Sequence, residues 1–356
     1  MTAKELRIPR ERTLFGISAV FSAVVWLALT ISVIGILYAA LIGLFVLCAH
    51  CMLMAHLTGN GVRIGPKQLP DLWARVDAAA RKLGLAGTPE AYVVQSGGIL
   101  NAFATKILSR RFIILYSELI EAFDRDVRDL GDSAPGQPNE LDFVIGHELG
   151  HVATGHLAFR LFLLPARLLP LIGAAYSRAC EYTCDRCGHE VVGDLTISSR
   201  ALAILAAGPR TARRLDLDAF VEQRAETRRF WMAVYELNAT HPFLSKRVAA
   251  LRDWRQQGSA ARPGRNPWSY PLAPLFGGLA GNPAAAFGML VVFAALAFGI
   301  ALPRLKQKYG GLLGAGAGAD PLGRLVPAPA EGGDTPEDPD LARIRKQLED
   351  QARENK

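Results

Sequence analysis

The longest apolar run of the chain lies close to its N-terminus. Residues 14–57 contain no Asp, Glu, Lys or Arg, and about 20 apolar residues are enough for one transmembrane helix. This run of 44 residues therefore predicts two transmembrane helices, with a turn near residues 32–35. A second uncharged stretch, residues 269–303, predicts a C-terminal transmembrane segment. The alternative for the N-terminal run is a signal peptide, but the apolar part of such a peptide is only about 7–15 residues long.

The patterns between these two apolar stretches predict a folded domain over residues 58–268. Residues 71–83 have apolar positions at helical spacing. Three short runs rich in β-branched and aromatic residues follow, and they predict a small sheet: AYVVQ, LNAFATKI and RFIILYS. A helix is predicted from residue 117 to about residue 130, and a loop rich in Gly, Pro, Asp and Asn follows at residues 131–140.

Helices dominate the second half of this domain. Asn139 is a predicted N-cap, with Asp142 three residues later and an apolar stripe beyond it. Residues 157–176 are apolar but are interrupted by two arginines and two prolines. A further helix is predicted over residues 176–192, and two or three more over residues 197–257. The fold class is therefore α+β, predominantly helical with a small sheet.

The composition changes after the C-terminal apolar stretch. Residues 304–356 begin with a long stretch rich in Gly, Ala and Pro, which predicts a flexible tail without a core. Near the end, Leu341, Ile344 and Leu348 are spaced as the stripe of a short terminal helix.

The net charge of +7 arises largely beside the apolar runs, and no basic run interleaved with aromatic residues predicts nucleic-acid binding. Residues 1–13 form a basic N-terminus, and further basic residues follow residue 57, whereas the turn near residues 32–35 carries no charge. By the positive-inside rule, both the N-terminus and the domain then face the cytoplasm. We expect a multi-pass protein of the cell (inner) membrane, in contact with the lipid bilayer.

Five cysteines, an odd number in a chain expected to face a reducing compartment, do not predict a disulfide framework. Cys48 and Cys51 form one pair, and Cys184 and Cys187 form a second. A four-thiolate zinc site built from both pairs is the alternative, although the first pair lies inside a predicted span.

The most specific chemical pattern of the chain is HELGH. His147 and His151 are four residues apart on a predicted helix, so both imidazoles project from one face and can share a cation. Glu148 points about 100° away from His147, where it can reach a water molecule beside the metal. His156 does not have the spacing of a third histidine ligand, and we expect it at the helix end or on the surface.

Catalytic zinc needs a third protein ligand and an open position. Glu181 lies thirty residues after His151 on the next predicted helix, and Asp185 follows one turn later on the same face. This pair suits one metal ligand and one carboxylate that orients a histidine through its other ring nitrogen.

HELGH followed by SRACEYTCD resembles the HtpX-like membrane zinc metallopeptidases, a family that includes the CAAX prenyl proteases. The Glu-x-x-Ala-Asp pattern of that family corresponds to Glu181 through Asp185, with Cys184 in place of Ala. NAFAT at residues 101–105 and THPFLSKRV at residues 240–248 match two further blocks, and the resemblance covers about residues 62–255.

The resemblance implies a zincin-like domain that binds one catalytic Zn²⁺. His147, His151 and Glu181 would be the metal ligands, and Glu148 the general base. The strand that contains Asn101 would lie beside the cleft, where a peptide could pair with its edge. His241 would stabilise the oxyanion and Arg247 would support it by charge, although Thr-His-Pro is also an ordinary helix start.

The chain departs from HtpX between the two halves of the site. HtpX has two further spans there, but residues 157–176 are too few for a hairpin across the bilayer. One complete crossing would place His151 and Glu181 on opposite sides of the membrane. We therefore expect this segment to lie on the membrane surface, to re-enter the membrane, or to form a lid over the cleft.

These features together predict a membrane-anchored zinc-dependent endopeptidase. Its substrates would be membrane or membrane-associated proteins, as in protein quality control, and zinc would activate water for peptide-bond hydrolysis. The alternatives are an intramembrane zinc protease, a structural zinc site that includes Cys180 and Cys184, and a catalytically silent membrane-anchored scaffold or chaperone that keeps a zinc site.

Overall fold

The computed structural model describes residues 1–276, except residues 96, 99, 108, 131–137, 170 and 259–263, together with residues 343 and 346. The chain divides into two units, Met1–Ala294 and Ala295–Lys356. Only Arg343 and Lys346 of the second unit are described, and both are helical and exposed. The predicted tail and its terminal helix otherwise lie outside the described residues, as does most of the loop at residues 131–140.

The predicted N-terminal hairpin is a pair of long apolar helices, α1 (Pro9–Ile31) and α2 (Val33–Asn60). Both are long and apolar enough to cross a membrane, judged by length and composition. Ser32 separates them in an extended conformation and caps α2, because its Oγ accepts a hydrogen bond from the Gly35 amide at 3.1 Å. A Cβ on Gly35 would lie 2.6 Å from the Leu29 carbonyl oxygen, so this close turn needs glycine.

The segment before α1 is part of the domain's core. Ala3 and Leu6 are almost fully buried in the main hydrophobic cluster. The N-terminal ammonium of Met1 lies 2.6 Å from the Glu190 carboxylate, and Arg7 donates a hydrogen bond to the carbonyl of Thr154. The basic N-terminus is therefore held against the domain before α1 begins.

The predicted sheet has four strands, β1 (Val62–Ile64), β2 (Glu90–Val94), β3 (Ala102–Ile107) and β4 (Arg110–Tyr116). Their spatial order is β1-β2-β4-β3. The sheet is mixed, because β2 and β4 run parallel while the other two pairs are antiparallel. Among the described residues, β3 pairs only with β4, which leaves its other edge free.

Both faces of the central strand β4 are buried. Ile113 and Leu115 point into the main core. Phe112 and Ile114, one residue out of phase, form a second cluster with Met54 and Leu57 at the end of α2. The second apolar helix therefore covers the sheet with its last turns.

Three helices surround the sheet in the first half of the domain: α3 (Pro70–Lys82), α4 (Ser117–Leu130) and α5 (Glu140–Ala153). The predicted N-cap of α5 is confirmed as a capping box. Asn139 Oδ1 accepts from the Leu141 amide at 3.0 Å, and Asp142 Oδ2 accepts from the Asn139 amide at 2.8 Å.

Residues 157–176 do not cross a membrane as a helix. After α5 the chain forms turns, the five-residue helix α6 (Leu164–Leu168) and the start of the next helix. This stretch packs along α1, where Trp26 Nε1 donates to the Phe162 carbonyl at 2.8 Å and Ser22 Oγ accepts from the Ala166 amide at 3.3 Å.

Helix α7 (Ile172–Val192) makes the most extensive helix contact of the domain, with α5. Glycines allow the close approach. A Cβ on Gly146 would lie 2.7 Å from a Val191 methyl carbon, and a Cβ on Gly150 would lie 2.9 Å from Cys187 Cβ. On α7, a Cβ on Gly188 would lie 2.6 Å from the Phe143 carbonyl oxygen. The two helices that carry the candidate ligands therefore pack almost backbone to backbone.

The two or three helices predicted over residues 197–257 are more finely divided in the structure. They are α8 (Leu195–Ala207), α9 (Pro209–Ala212), α10 (Leu217–Glu222), a 3-10 helix (Gln223–Arg228), α11 (Phe230–Asn238) and α12 (Leu244–Gln257).

The predicted C-terminal transmembrane segment is not supported. Its described part is the four-residue helix α13 (Ser269–Leu272) and one 3-10 turn (Ala273–Phe276), and residues 277–303 lie outside the described residues.

Candidate metal centre

The two histidines of HELGH face one carboxylate across the α5–α7 contact. His147 Nε2 lies 3.4 Å from Glu181 Oε2, and His151 Nε2 lies 3.5 Å from Glu181 Oε1. His147 and Glu181 are buried, and the His151 side chain is 19% exposed. The structure therefore brings the three predicted ligands together, although Glu181 follows His151 by thirty residues in the chain.

The chemistry of these donors fits a zinc ion. Glu181 Oε2 is buried and receives no well-aligned hydrogen bond; the Arg247 guanidinium at 3.3 Å is one cation beside it, and a metal ion between Glu181 and the two histidines would supply a second. Burial raises the pKa of Glu181, but the charge of His241 and hydrogen bonds from His147 and His151 outweigh it and hold the pKa well below its ordinary value. The carboxylate is therefore ionised, and two imidazole nitrogens with one carboxylate are a donor set that catalytic zinc uses.

Asp185 and Arg247 stand behind His147. Asp185 Oδ1 lies 3.0 Å from His147 Nδ1, and Arg247 makes two hydrogen bonds to the same carboxylate, at 2.6 and 2.9 Å. Burial raises the pKa of Asp185, but the charge of Arg247 and these hydrogen bonds lower it below its ordinary value. An ionised Asp185 accepts the Nδ1 proton, which leaves His147 Nε2 free to face the metal position.

The same contacts control the charge of His147. Burial lowers the pKa of this imidazole, but its hydrogen bonds to Asp185 and Glu181 outweigh burial and raise the pKa to about 9. Arg247 Nη1 also lies 3.3 Å from Glu181 Oε2. The structure thus places Arg247 behind the ligands, where it neutralises two carboxylates, rather than among the residues that line the cavity beside them.

His241 comes close to the same carboxylate from the loop between α11 and α12. Its Nε2 lies 3.4 Å from Glu181 Oε1, while its side chain is 66% exposed. The sequence predicted a role for His241 in the reaction, but it did not predict that three imidazole nitrogens surround one glutamate. The exposure distinguishes His241 from the two buried or half-buried histidines of α5.

A cavity of about 470 Å³ opens in front of these residues. Glu148 lines it and makes no hydrogen bond or ion pair with the residues that the structure describes. Residues 102–104 of β3 line the same cavity with their free strand edge. Asn101 does not line the cavity; its Oδ1 accepts from the Ala102 amide at 2.9 Å and its carbonyl accepts from the Tyr116 amide at 3.2 Å.

His156 lies just after the end of α5, one of its two expected positions, but it is buried close to the centre rather than on the surface. Helix α5 ends in a Schellman motif, in which the amides of Gly155 and His156 bond to the carbonyls of Val152 and His151 at 3.2 and 3.1 Å. Gly155 takes a positive φ of 80° that favours glycine. This turn folds His156 back, so that its Nδ1 lies 3.1 Å from His151 Nδ1. Gly155, directly after the helix, was the feature of the sequence that could have predicted this reversal of the chain.

The four-thiolate alternative does not fit the structure. All five cysteines are free; Cys48 and Cys51 are exposed on α2, whereas the other three are buried in the domain, so a four-thiolate site is not formed. Cys184 does lie within 4.8 Å of ligand atoms of His147 and His151. Burial raises the pKa of the Cys184 thiol well above its ordinary value, so Cys184 would have to lose a proton to bind zinc, whereas the Glu181 carboxylate is already ionised.

Two candidate ligands from one helix, a carboxylate from the helix packed on it and a free strand edge beside an open cavity are the arrangement expected of a zincin-like metallopeptidase. The family model of peptidase family M48 matches residues 66–172 and 160–255, which together are more than half of the chain. The chain therefore belongs to this family, which contains HtpX and the CAAX prenyl proteases, and the resemblance seen in the sequence is confirmed. No curated protein and no solved structure matches the chain.

Proposed function

We propose that the protein is a membrane-anchored zinc endopeptidase. The observation that carries this proposal is the convergence of His147 Nε2, His151 Nε2 and Glu181 at an open cavity that Glu148 also lines. Membership of peptidase family M48 supports metallopeptidase activity. His147, His151 and Glu181 would hold the ion, and the cavity leaves space for water and substrate at the fourth position.

When bound, zinc would polarise the scissile carbonyl and lower the pKa of water. Glu148 is assigned as general base, because its carboxylate faces the cavity without a partner among the described residues. It accepts the proton of the attacking water and passes it to the leaving amide nitrogen. Asp185, held by Arg247, keeps the His147 Nδ1 proton in place.

The free edge of β3 is assigned to peptide binding. Residues 102–104 line the cavity, and their backbone groups on that edge can pair with an extended substrate chain. Asn101 fixes the start of this strand through its bond to the Ala102 amide. His241 lies beside Glu181 and is exposed, so we assign it to stabilise the oxyanion that forms during attack on the carbonyl.

The length and apolar composition of α1 and α2 support membrane anchoring, and the positive-inside rule supports a cytoplasmic position for the N-terminus and the domain. Residues 157–176 would re-enter the membrane beside α1, because Phe162 and Ala166 bond to Trp26 and Ser22, and Trp26 lies about 18 Å along the helix from the start of its uncharged run. Substrates would be membrane or membrane-associated proteins. Full-length protein should stay in the membrane pellet after alkaline carbonate extraction, and release into the supernatant would contradict the anchoring.

The ligand assignment is tested with Glu181→Gln in the purified full-length protein, measured for bound zinc and for cleavage of an unfolded protein. We expect one zinc per wild-type chain, removal of activity by chelators and its return with zinc. Loss of an outer hydrogen-bond partner costs about 10–100-fold in metal affinity, so loss of a ligand should cost at least as much.

Glu190→Gln is the matched control, since Glu190 lies on the same helix and pairs with the N-terminus instead. Unchanged zinc affinity in the Glu181 variant would contradict the ligand assignment. Zinc binding without any cleavage by wild-type protein would favour the silent scaffold.

A further inference from the structure

The second histidine of the centre has an unusual outer partner. His147 meets a carboxylate, Asp185, directly, whereas His151 meets another imidazole, that of His156, at 3.1 Å between the two Nδ1 atoms. His156 Nε2 in turn lies 3.0 Å from Oε1 of Glu11, in the first turn of α1. Each candidate ligand histidine therefore has a carboxylate behind it. Asp185 contacts His147 directly, whereas Glu11, from the apolar helix α1, reaches His151 through the imidazole of His156.

The hydrogen bonds of this relay have only one consistent direction. If His151 binds the metal through Nε2, its Nδ1 carries the proton and donates to Nδ1 of His156. His156 must then carry its own proton on Nε2, and that proton is donated to the Glu11 carboxylate. The series of hydrogen bonds from His151 through His156 thus ends on the Glu11 carboxylate, which only accepts.

Glu11 is built into the domain rather than left at its surface. It is 1% exposed, its Oε1 lies 2.9 Å from Arg7 Nε, and its other oxygen accepts the Thr183 hydroxyl hydrogen bond. Thr183 belongs to α7, two residues after the ligand Glu181. The carboxylate therefore has a fixed position relative to both helices that carry ligands.

We propose that Glu11 is a positioning residue which, through His156, orients His151 for metal binding, so that the first apolar helix completes the metal centre. This inference rests on the proposed zinc site. It assigns the N-terminal segment a role beyond membrane attachment.

A second metal site is the competing explanation for the same residues. Ligand atoms of Glu11, His156 and Cys180 lie within 4.8 Å of one another. The Glu11 oxygens already meet a guanidinium, a hydroxyl and an imidazole. Burial raises the pKa of the Cys180 thiol far above its ordinary value, which disfavours a thiolate ligand. The relay needs no ion to satisfy these groups.

The test uses full-length protein with Glu11→Gln and, as a milder change, Thr183→Val. We expect zinc affinity, measured by chelator competition, to fall about 10–100-fold with Glu11→Gln and less with Thr183→Val. The visible absorption of the cobalt-substituted protein should change as well, because it reports ligand geometry. Glu236→Gln is the control for a general loss of stability, since Glu236 is a fully buried carboxylate paired with Lys246 and Arg265.

A Glu11→Gln protein with wild-type zinc affinity and an unchanged cobalt spectrum would overturn the relay. So would an equal loss of zinc affinity in Glu236→Gln, or two zinc ions per wild-type chain that fall to one in Glu11→Gln. Wild-type protein that binds no zinc would instead overturn the proposed function itself.

A different observation concerns the substrate. Arg160 and Arg167 line the same cavity as Glu148, and neither makes an ion pair within the part of the chain that the structure describes. Burial and the neighbouring charge of Arg160 lower the pKa of Arg167 to about 10. Two cations without an anionic partner in the same cavity are stabilised by an anion that binds there.

We infer that Arg160 and Arg167 form a subsite for a carboxylate of the peptide substrate. This inference also rests on the proposed peptidase activity. The carboxylate can come from an acidic side chain or from a free C-terminus, and both sources present the planar, bidentate acceptor that guanidinium groups prefer. Both arginines lie in the stretch that packs along α1, so an anionic lipid surface is the competing occupant.

The variants Arg160→Gln and Arg167→Gln test this subsite with four matched peptides. Two peptides have Glu at one position and two have Gln there, and each sequence is made with a free and with an amidated C-terminus. We expect the ratio of kcat/KM for acidic over neutral peptide to fall about tenfold in either variant, for a loss of roughly one charge-assisted hydrogen bond. If the variants lose the preference for Glu over Gln, the carboxylate comes from a side chain; if they lose the preference for a free over an amidated end, it comes from the C-terminus. Arg110→Gln, which removes the surface pair with Glu90, is the control.

An unchanged ratio would overturn the subsite. Weaker binding to anionic vesicles with no change in the ratio would assign the two arginines to lipid instead. Absence of any cleavage by wild-type protein would count against the proposed function rather than against the choice of substrate.

Discussion

At the scale of single residues, the centre is organised around the carboxylate of Glu181. Three imidazole Nε2 atoms and one guanidinium lie within 3.5 Å of its two oxygens. Only one of these imidazoles, that of His241, is mostly exposed. Buried donors can hold an ion in a fixed geometry, whereas an exposed one can move with the substrate.

This difference predicts that His241→Ala keeps its zinc but loses turnover. Removal of one donor to the oxyanion costs about 10²–10³ in kcat in other hydrolases. Zinc content and kcat of the variant should be compared with those of His56→Ala, which changes a histidine on α2. A loss of zinc affinity as large as that of Glu181→Gln would make His241 a fourth ligand and would contradict its assignment to the oxyanion.

HELGH was readable from sequence because helical spacing alone places His147 and His151 on one face. Glu181 and Asp185 followed from the spacing of one turn on a second helix. His156 was not found, because its contact depends on a backbone reversal at Gly155 and on a partner, Glu11, that lies 145 residues away. Local patterns do not report such long-range contacts.

At the scale of elements, the contact between α5 and α7 determines whether the ligands meet. Gly146 and Gly150 on α5 face Gly188 and Cys187 on α7 at distances that leave no room for a Cβ. Glu181 and Asp185 reach the histidines because the two helix backbones are so close. Gly150, within HELGH, and Gly146, directly before it, are therefore needed for the close packing of α5 on α7.

Gly150→Ala should consequently destabilise the protein and weaken zinc binding together. Its Cβ would lie 2.9 Å from Cys187 Cβ and 3.2 Å from Cys184 Cα. Overpacking of this kind costs about 1–3 kcal/mol, which outweighs the roughly 1 kcal/mol that alanine gains over glycine in a helix. Thermal unfolding and zinc affinity measure the effect. Gly59→Ala is the control, since nothing lies within 4 Å of its Cβ; equal behaviour of the two variants would contradict the packing argument.

A buried ion pair connects α11 to α12 and predicts a pH dependence of stability. Burial raises the pKa of Glu236, but the charges of Arg265 and Lys246 outweigh it and lower the pKa below its ordinary value of 4.5. A lowered folded pKa stabilises the native state above the unfolded pKa, and this contribution is lost as the pH falls through the folded value.

The stability difference between wild type and Glu236→Gln should therefore be constant above about pH 5 and should shrink at lower pH. Urea unfolding of both chelator-treated proteins from about pH 3 to pH 7 measures it. A difference that does not depend on pH would show that Glu236 contributes through its shape rather than its charge.

The elements themselves were only partly predictable. The helix over residues 117–130 and the capping of α5 follow from local composition, and the structure has both. The three-residue strand β1 and the parallel pairing of β2 with β4 were not predicted, since strand order depends on contacts between distant segments. Residues 197–257 contain more breaks than their helical pattern suggested, because Gly208 takes a positive φ and Asp216 caps a new helix.

At the scale of the whole molecule, the apolar hairpin and the peptidase domain are connected at several places. The start of α1 brings Glu11 to the centre, the end of α2 covers one face of the sheet, and the stretch after α5 packs along α1. The sequence predicted the hairpin from its lack of charge, but it could not show that Ala3, Leu6 and Glu11 are buried in the domain. The N-terminal segment therefore belongs to the domain as much as to the apolar hairpin.

The central claim is that this chain is a zinc peptidase in which Glu148 is the general base. The most direct measurement is the zinc content and the proteolytic rate of purified full-length Glu148→Gln, beside wild type. We predict one zinc per chain in both proteins and a loss of cleavage of at least about 10²–10⁴-fold in the variant, the usual contribution of general acid–base catalysis. Cleavage at the wild-type rate by a zinc-loaded Glu148→Gln protein would contradict the account.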